Sequence, residues 1–414
     1  METLFASVAL LALVFAIIVG IKTNINLGII SISLAFLVGH FMVGIPSAQI
    51  YMEGWPLKLF FMLMGMTLLF GIARVNGTFT VIAKQVCSFS FGSRKLMCVI
   101  IFVFSAIVSM VGVGTIVTPA ILLPLIVEIA NEEDIPETLV LVLGIAGAIA
   151  GGMSPLAPTG IIGTSLAAEI NVTRYNPIFF ICAVTYTLET IFFFTVLGGF
   201  KLKPSGRRPR PPFAVDRRQL LTILVIAIVI TAILFFKLDL GLTSFTGAAV
   251  LLIFKAADEE EAVASVAWVT LLLICGVSIL VNVIKASGGI DLLSTLLVEI
   301  MTGRTAAPII NALAGLMSTV SSASGVVMPT LIPTIPRIVE GLGGATNAQI
   351  LTAGVIVGSH SVTYSPLSTM GAIGMAAASE KCNKQELFTK LMLVAFVSLI
   401  LTSTLFYMGV YNVF

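Results

Sequence analysis

The chain has 414 residues, of which 58% are hydrophobic and 10% charged, with a formal net charge of +2 and a mean hydropathy of +1.12. About a quarter of the residues in a soluble domain are charged, so this composition leaves no room for a soluble domain of ordinary size and places nearly the whole chain in a bilayer. The small net charge does not suggest a nucleic-acid partner, and the five scattered cysteines, without a CxxC or CxxH pair, suggest neither a disulfide framework nor a metal site.

Met1 to Gly20 is apolar, but it lacks a basic n-region and a small-residue cleavage pattern before Lys22; it reads as a retained first helix over 4–20. Further simple helices are predicted at 26–44 and 57–74. The apolar tract 96–130 is too long for one crossing, since a continuous helix would run about 50 Å against a hydrocarbon core of about 30 Å. With VGVGT in its middle, it reads as a re-entrant hairpin. The tract 138–170 is interrupted by GGMSPLAPTG and reads as a spanning helix broken at mid-depth. A simple helix at 177–200 precedes the segment 201–218, which carries seven Lys and Arg against one Asp. Helices at 219–236, 243–256 and 264–285 follow, then a second hairpin over 305–340 with SSASG at its tip. A second broken helix over 347–380 contains GSHSVTYSPLSTMG, and a last helix spans 387–412.

The chain repeats itself. LMGMTLLFGIARVNGT around Gly65 and Gly77 is echoed by LICGVSILVNVIKASGG around Gly276 and Gly288, an offset of 211. TPAILLP is echoed by MPTLIP, and MSPLAPTGIIG by YSPLSTMGAIG, with offsets within two residues of that value. The fold expected is therefore an all-α polytopic membrane protein with repeats over 1–200 and 219–414 joined by the basic linker 201–218. Each repeat has five crossings and one hairpin, giving about ten crossings, two hairpins and two broken helices. An odd number of crossings inverts the second copy. With the linker in the cytoplasm, cytoplasmic segments collect sixteen Lys and Arg and the opposite side six, which fits the positive-inside rule with both termini outside.

Non-helical backbone at membrane depth leaves N–H and C=O groups unpaired, each costing several kcal/mol unless protein or a water-lined cavity satisfies it. The breaks are therefore expected to line a central site, with 151–160 facing the tip at 112–115 and 358–371 facing the tip at 321–325. Half-helices meeting end to end offer amides and positive dipole ends to an anion and carbonyls to a cation. In the first repeat the candidates for a substrate are Thr115, Thr118, Ser154, Pro155, Thr159 and Gly160. In the second they are Ser322, Ser324, Thr330, His360, Ser365, Pro366, Ser368 and Thr369. Candidates for an ion are Gly112, Gly114, Thr115, Gly151 and Ser154, with Ser321, Ser324, Gly358, Ser361 and Thr363 in the second repeat.

TNINLGIISISLAFLVGHFMVG and MGMTLLFGIARVNGT resemble the amino-terminal region of dicarboxylate carriers of the malonate-carrier (MatC) type. The order of hairpin, broken helix and their inverted copies resembles the ion transporter superfamily that includes the divalent anion:sodium symporters. The resemblance implies an elevator-type transporter and a homodimer, with a small dicarboxylate bound between tips and broken helices and sodium ions beside each tip. No cofactor other than possible sodium ions is expected, and a membrane enzyme is the least favoured reading. Many sodium-coupled members carry Ser-Asn-Thr at each tip, where this chain reads Gly114-Thr115-Ile116 and Ala323-Ser324-Gly325, so sodium and protons both stay open as the coupling cation.

No Lys or Arg lies in the four breaks. His360 is either a proton carrier or a neutral ring hydrogen-bonded to backbone. Glu189, an acid inside a predicted simple helix, is either functional or an interhelical hydrogen-bonding group. Asn76 and Asn282 read as interhelical glue, His40 as a surface group, and NEEDIPE and ADEEEA as solvated loops. The function expected is import of a small dicarboxylate such as malonate, succinate or malate, coupled to sodium or protons. The alternatives are a sodium/proton or oxyanion exchanger on the same scaffold and, less favoured by two hairpins closing from opposite faces, an ion channel. No HExxH or GxSxG motif is present.

Overall fold

The computed structural model describes residues 2–23, 25–90, 92–204, 214–380 and 382–411. The central part of the basic linker, 205–213, and Lys381 lie outside the described residues. Helices α1 (Glu2–Thr23) and α2 (Leu27–Val38, prolonged by a wide turn Gly39–Val43) are followed by short α3 (Ser47–Gly54), then α4 (Leu57–Val75) and α5 (Thr78–Ser88). The tract expected to form the first hairpin contains α6 (Arg94–Val108) and α7 (Val117–Glu132). The first broken helix is α8 (Glu137–Gly152) and α9 (Pro158–Glu169), and α10 (Asn176–Val196) ends this half.

The second half repeats that order: α11 (Arg217–Phe236), α12 (Leu240–Ile253), short α13 (Glu259–Ala264), α14 (Trp268–Ala286) and α15 (Gly289–Ile300). Then come α16 (Ala306–Ser318), α17 (Met328–Leu331) and α18 (Ile335–Gly341), the broken pair α19 (Ala348–Ser361) and α20 (Thr369–Ala377), and α21 (Lys384–Tyr407). Among the described residues seven helices are long and apolar enough to cross a membrane, and further apolar helices are shorter. Neither long tract is an unbroken rod. The first turns at Gly112 and Gly114, and in the second α16 stops at Ser318.

Four short elements depart from the expected simple pattern. Helices α3 and α13 are too short for an apolar period to reveal, and the acidic segment expected as a loop forms α13. The Asp258 carboxylate accepts from the amides of Glu260 (3.0 Å) and Glu261 (3.3 Å), and acids in a first turn suit the positive end of a helix. Helices α5 and α15 each follow a left-handed glycine, Gly77 (φ 74°) and Gly288 (φ 79°), whose amides reach back to Arg74 and Lys285 at 3.1 Å each.

Packing crosses between the halves in matched pairs: α2 lies on α14 and α12 on α4, while α1 packs against α2, α14 and α15 and α11 against α12, α4 and α5. The crossings are backbone on backbone. A Cβ on Gly28 would collide with the Leu272 carbonyl, one on Gly276 with the Gly28 carbonyl, and one on Gly65 with the Gly241 carbonyl. Around the breaks, α8 packs along α6 and also meets α7, and α19 packs along α16 and also meets α17 and α18. Asn76 joins elements as expected: its amide nitrogen donates to Thr222 Oγ1 at 2.7 Å and to the Ala256 carbonyl at 3.3 Å.

Candidate functional site

Proline makes the two breaks, and serine shapes them. Pro155 and Pro158, and in the second half Pro366, have no N–H to continue a helix. In the first break Ser154 N donates to Gly151 O (2.9 Å), Leu156 N to Ser154 Oγ (3.3 Å) and Ala157 N to Ser154 O (2.9 Å). In the second, Ser365 N donates to Val362 O (3.0 Å), Leu367 N to Ser365 Oγ (3.2 Å) and Ser368 N to Ser365 O (2.8 Å). Each of the three bonds recurs with both partners displaced by the same 211 residues. Gly160 and Gly371 complete the match, because a Cβ on either would strike the carbonyl of Ser154 or Ser365.

The first tip seats on the first break. Gly112 (φ 130°) and Gly114 (φ 87°, ψ 172°) hold conformations that side chains rarely adopt. Gly114 lies against the Pro158 ring, where an added Cβ would be 2.9 Å from Cδ. The Thr115 and Thr159 hydroxyls are 3.1 Å apart, and Ser109 Oγ donates to the Ala148 carbonyl at 2.6 Å. Residues 112–115 are buried. Neither α7, which starts beyond Ile116, nor α9, which starts beyond Ala157, is capped by a side chain. Thr118 N donates to the Gly114 carbonyl at 3.2 Å and Pro119 and Pro158 have no N–H, so the amides these two starts bring to the contact are those of Val117, Thr159 and Gly160. Thr118 Oγ1 is fully buried beside them and has no partner.

The second tip is arranged differently. Ser321 to Ser324 are half-buried, and Ser322 Oγ accepts from Gly325 N at 3.1 Å. Ser368 Oγ likewise caps α20, accepting from Gly371 N at 3.3 Å. This tip touches α14, α16, α19 and α9, so α9 reaches both tips. It borders a cavity of about 260 Å³ that also involves Gly20, Asn26 and Leu273.

Several expected site residues spend their hydroxyls locally. Thr330 donates to Val326 O, Ser321 to Met317 O, Ser361 to Val357 O and Thr363 to His360 O. Thr369 is exposed, whereas Thr159 is buried. Gly151 and Gly358 have a packing role, since a Cβ on them would strike the carbonyls of Ala106 and Asn311. His360 is buried and donates its Nδ1 proton to the Ile356 carbonyl at 2.9 Å. His40 makes a 3.2 Å contact with the Ile45 carbonyl and stacks on Phe36.

Sequence reasoning missed a buried polar seam beside the second break. Asn311 donates to Gly354 O (3.0 Å) and accepts from Thr402 (3.2 Å) and Ser403 (2.8 Å), and Thr402 meets Ser361 at 3.0 Å. The signal was present: an amide inside the apolar run of α16, and Ser398 and Thr402 one helical turn apart on α21.

A search among curated proteins finds no match. Among solved structures, the chain is similar to the YdaH transporter of Alcanivorax borkumensis, with a TM-score of 0.61 and 14% identity over 88% of this chain and 87% of that one. The sequence profile of the CitMHS family, described as citrate transporters, matches residues 3–358. The profile accounts for most of the chain, including both tips and the first break, and the structural likeness shows the same transporter fold. The protein is an integral membrane transporter, not an enzyme, and belongs to the CitMHS citrate transporter family.

Proposed function

We propose that the chain is a secondary active importer of a small di- or tricarboxylate, of the citrate, malate, succinate or malonate class, coupled to sodium or protons. The observation that carries this reading is the convergence of the uncapped starts of α7 and α9 at the Thr115–Thr159 contact. Free amides at helix starts bind carboxylates, and the two hydroxyls offer further donors. In the second half the Gly371 amide of the break and the Gly325 amide of the tip are already engaged by Ser368 and Ser322. The second half would then meet the far end of the substrate through rotatable hydroxyls, and a co-bound cation would offset the anion's charge where no Lys or Arg stands.

The paired crossings of α2 with α14 and α12 with α4 support the reading of residues 1–200 and 219–414 as inverted repeats, and the bias of Lys and Arg supports about ten crossings with the linker in the cytoplasm and both termini outside. They also supply a rigid frame. Both tips touch that frame through flexible side chains, Met66 and Phe70 at Gly112 and Leu273 at Gly325, which suits an elevator in which tips and broken helices move as a body within a homodimer.

The test is uptake of labelled citrate, succinate and malonate into proteoliposomes under imposed sodium or pH gradients. Gradient-dependent accumulation of one of them is expected. Failure of all three, with sodium/proton exchange observed instead, would replace this reading by the exchanger.

A further inference from the structure

The transport reading leaves the coupling cation open, and Glu189 bears on it. This carboxyl lies in the middle of α10, is completely buried, and neither of its oxygens has a hydrogen-bond partner. The Tyr364 hydroxyl, from the short turn Val362–Tyr364 that opens the second break, and the Ser398 hydroxyl of α21 face it, yet they too close no hydrogen bond. Four unpartnered polar atoms from three elements thus surround one point. The rest of this face of α10 is engaged: Tyr186 donates to the Val357 carbonyl (2.8 Å), Thr185 pairs with the Tyr411 hydroxyl (2.6 Å), and the Phe193 ring lies 6.1 Å from that of Tyr364.

A bare carboxylate in such a place costs several kcal/mol unless it is neutralised. Among the described residues no side-chain cation is there to do so. The titratable groups that face it are Tyr186, Tyr364 and Tyr411. The packed face of α8 is apolar or glycine from Leu139 to Gly152, His360 of α19 is held on its own backbone, and Lys390 of α21 is paired with Glu386. A metal ion with an all-oxygen shell takes about six ligands. Here α10 and α21 run unbroken past the carboxyl, so their carbonyls stay within the helices, and the side chains supply four oxygens. A proton needs only one of them.

We propose that Glu189 is the protonation site through which a pH gradient drives uptake, an inference that rests on the transport reading above. Ionised, the carboxylate places a buried negative charge beside the turn that leads directly into Ser365 and Pro366, opposing an anion held at the breaks. Protonated, it removes that charge and its O–H donates to Tyr364 or Ser398. Substrate and proton therefore bind with positive cooperativity, and each raises the affinity for the other by the same factor.

The experiment uses labelled citrate in proteoliposomes, with counterflow as the uncoupled reference. Wild-type protein is expected to accumulate citrate under an inward-directed proton gradient without sodium. Its apparent affinity should weaken up to tenfold per pH unit on the alkaline side of the transition. Glu189→Gln should lower the ratio of gradient-driven uptake to counterflow at least tenfold and flatten the pH dependence of affinity. Tyr364→Phe should move the midpoint of that dependence, and it decides the matter if the glutamine variant is not recovered folded. A glutamine variant that still accumulates citrate like wild type, or a phenylalanine variant with an unmoved midpoint, would overturn the assignment. Wild-type uptake driven by sodium alone would sink it while leaving the transport reading intact; absence of any carboxylate uptake would sink the transport reading itself.

Discussion

The two hairpin tips occupy matching places in the chain and do different things with them. The first is buried, turns through two left-handed glycines and sets its helix start, uncapped, against an equally uncapped α9. The second is half-exposed, borders a cavity, and has the Gly325 amide capped by its own Ser322. Their seats differ as well. Gly112 rests on Met66 and Phe70 in the middle of α4, whereas Gly325 rests on Leu273, near the start of α14. The apolar packing follows the same division: α4, α11 and α12 share one core with the broken helices, while α1, α2 and much of α14 form a separate cluster. The two halves match in the order of their helices, and the polar caps make them chemically unequal.

The largest expected effect tests the glycine turn of the first tip. Gly114→Ala forces a side chain into backbone costing about 1–3 kcal/mol and against the Pro158 ring, so uptake should fall below a tenth of wild type and the melting temperature in detergent should drop. Ser324→Ala, at the corresponding point of the second tip, should keep at least a third of wild-type uptake. Equal losses would erase the contrast between the tips. Next comes the capping difference. Thr159→Val removes a hydroxyl from the uncapped end and should weaken carboxylate affinity about tenfold, in the range of a hydrogen bond to a charged group, with little change in melting temperature. Ser368→Ala should do the reverse, costing about 1 kcal/mol of stability through the lost cap while changing affinity less than threefold. The smallest effect is at the exposed Arg337–Asp291 pair, 2.7 Å apart. Arg337→Ala should change stability by less than about 0.5 kcal/mol, which checks that losses elsewhere come from the tips and not from any change near a hairpin.

Much of this was legible in the sequence because it depends on residues with few alternatives. Proline fixed the breaks, and the glycines at 65, 77, 276 and 288 marked equivalent points whose close contacts and helix ends the structure displays. The tips were visible as glycine and hydroxyl clusters inside tracts too long to span. What escaped depends on contacts between distant segments. The crossing of α2 with α14 gives Gly28 its meaning only once Leu272 is beside it. Asn311 reads as an oddity until Gly354, Thr402 and Ser403 close around its amide. The short helices α3 and α13 carry too few turns for a period to emerge, and the acidity of α13 imitates a loop. That the second break is capped and the first is not could be suspected from Ala157 standing where Ser368 stands in the other half, but only backbone geometry makes the difference matter.

The glycine seams where α2 meets α14 and α4 meets α12 have one more consequence. Main chain against main chain contains no rotamer to adjust, so the fit cannot be retuned by small steps in sequence; one added methyl group must push apart two whole helices. Evolutionary freedom is thereby pushed outward, to exposed side chains such as Phe235 and Ile253, and inward, to the hydroxyls at the breaks. Side chains there can change without disturbing the main-chain contacts between the helices.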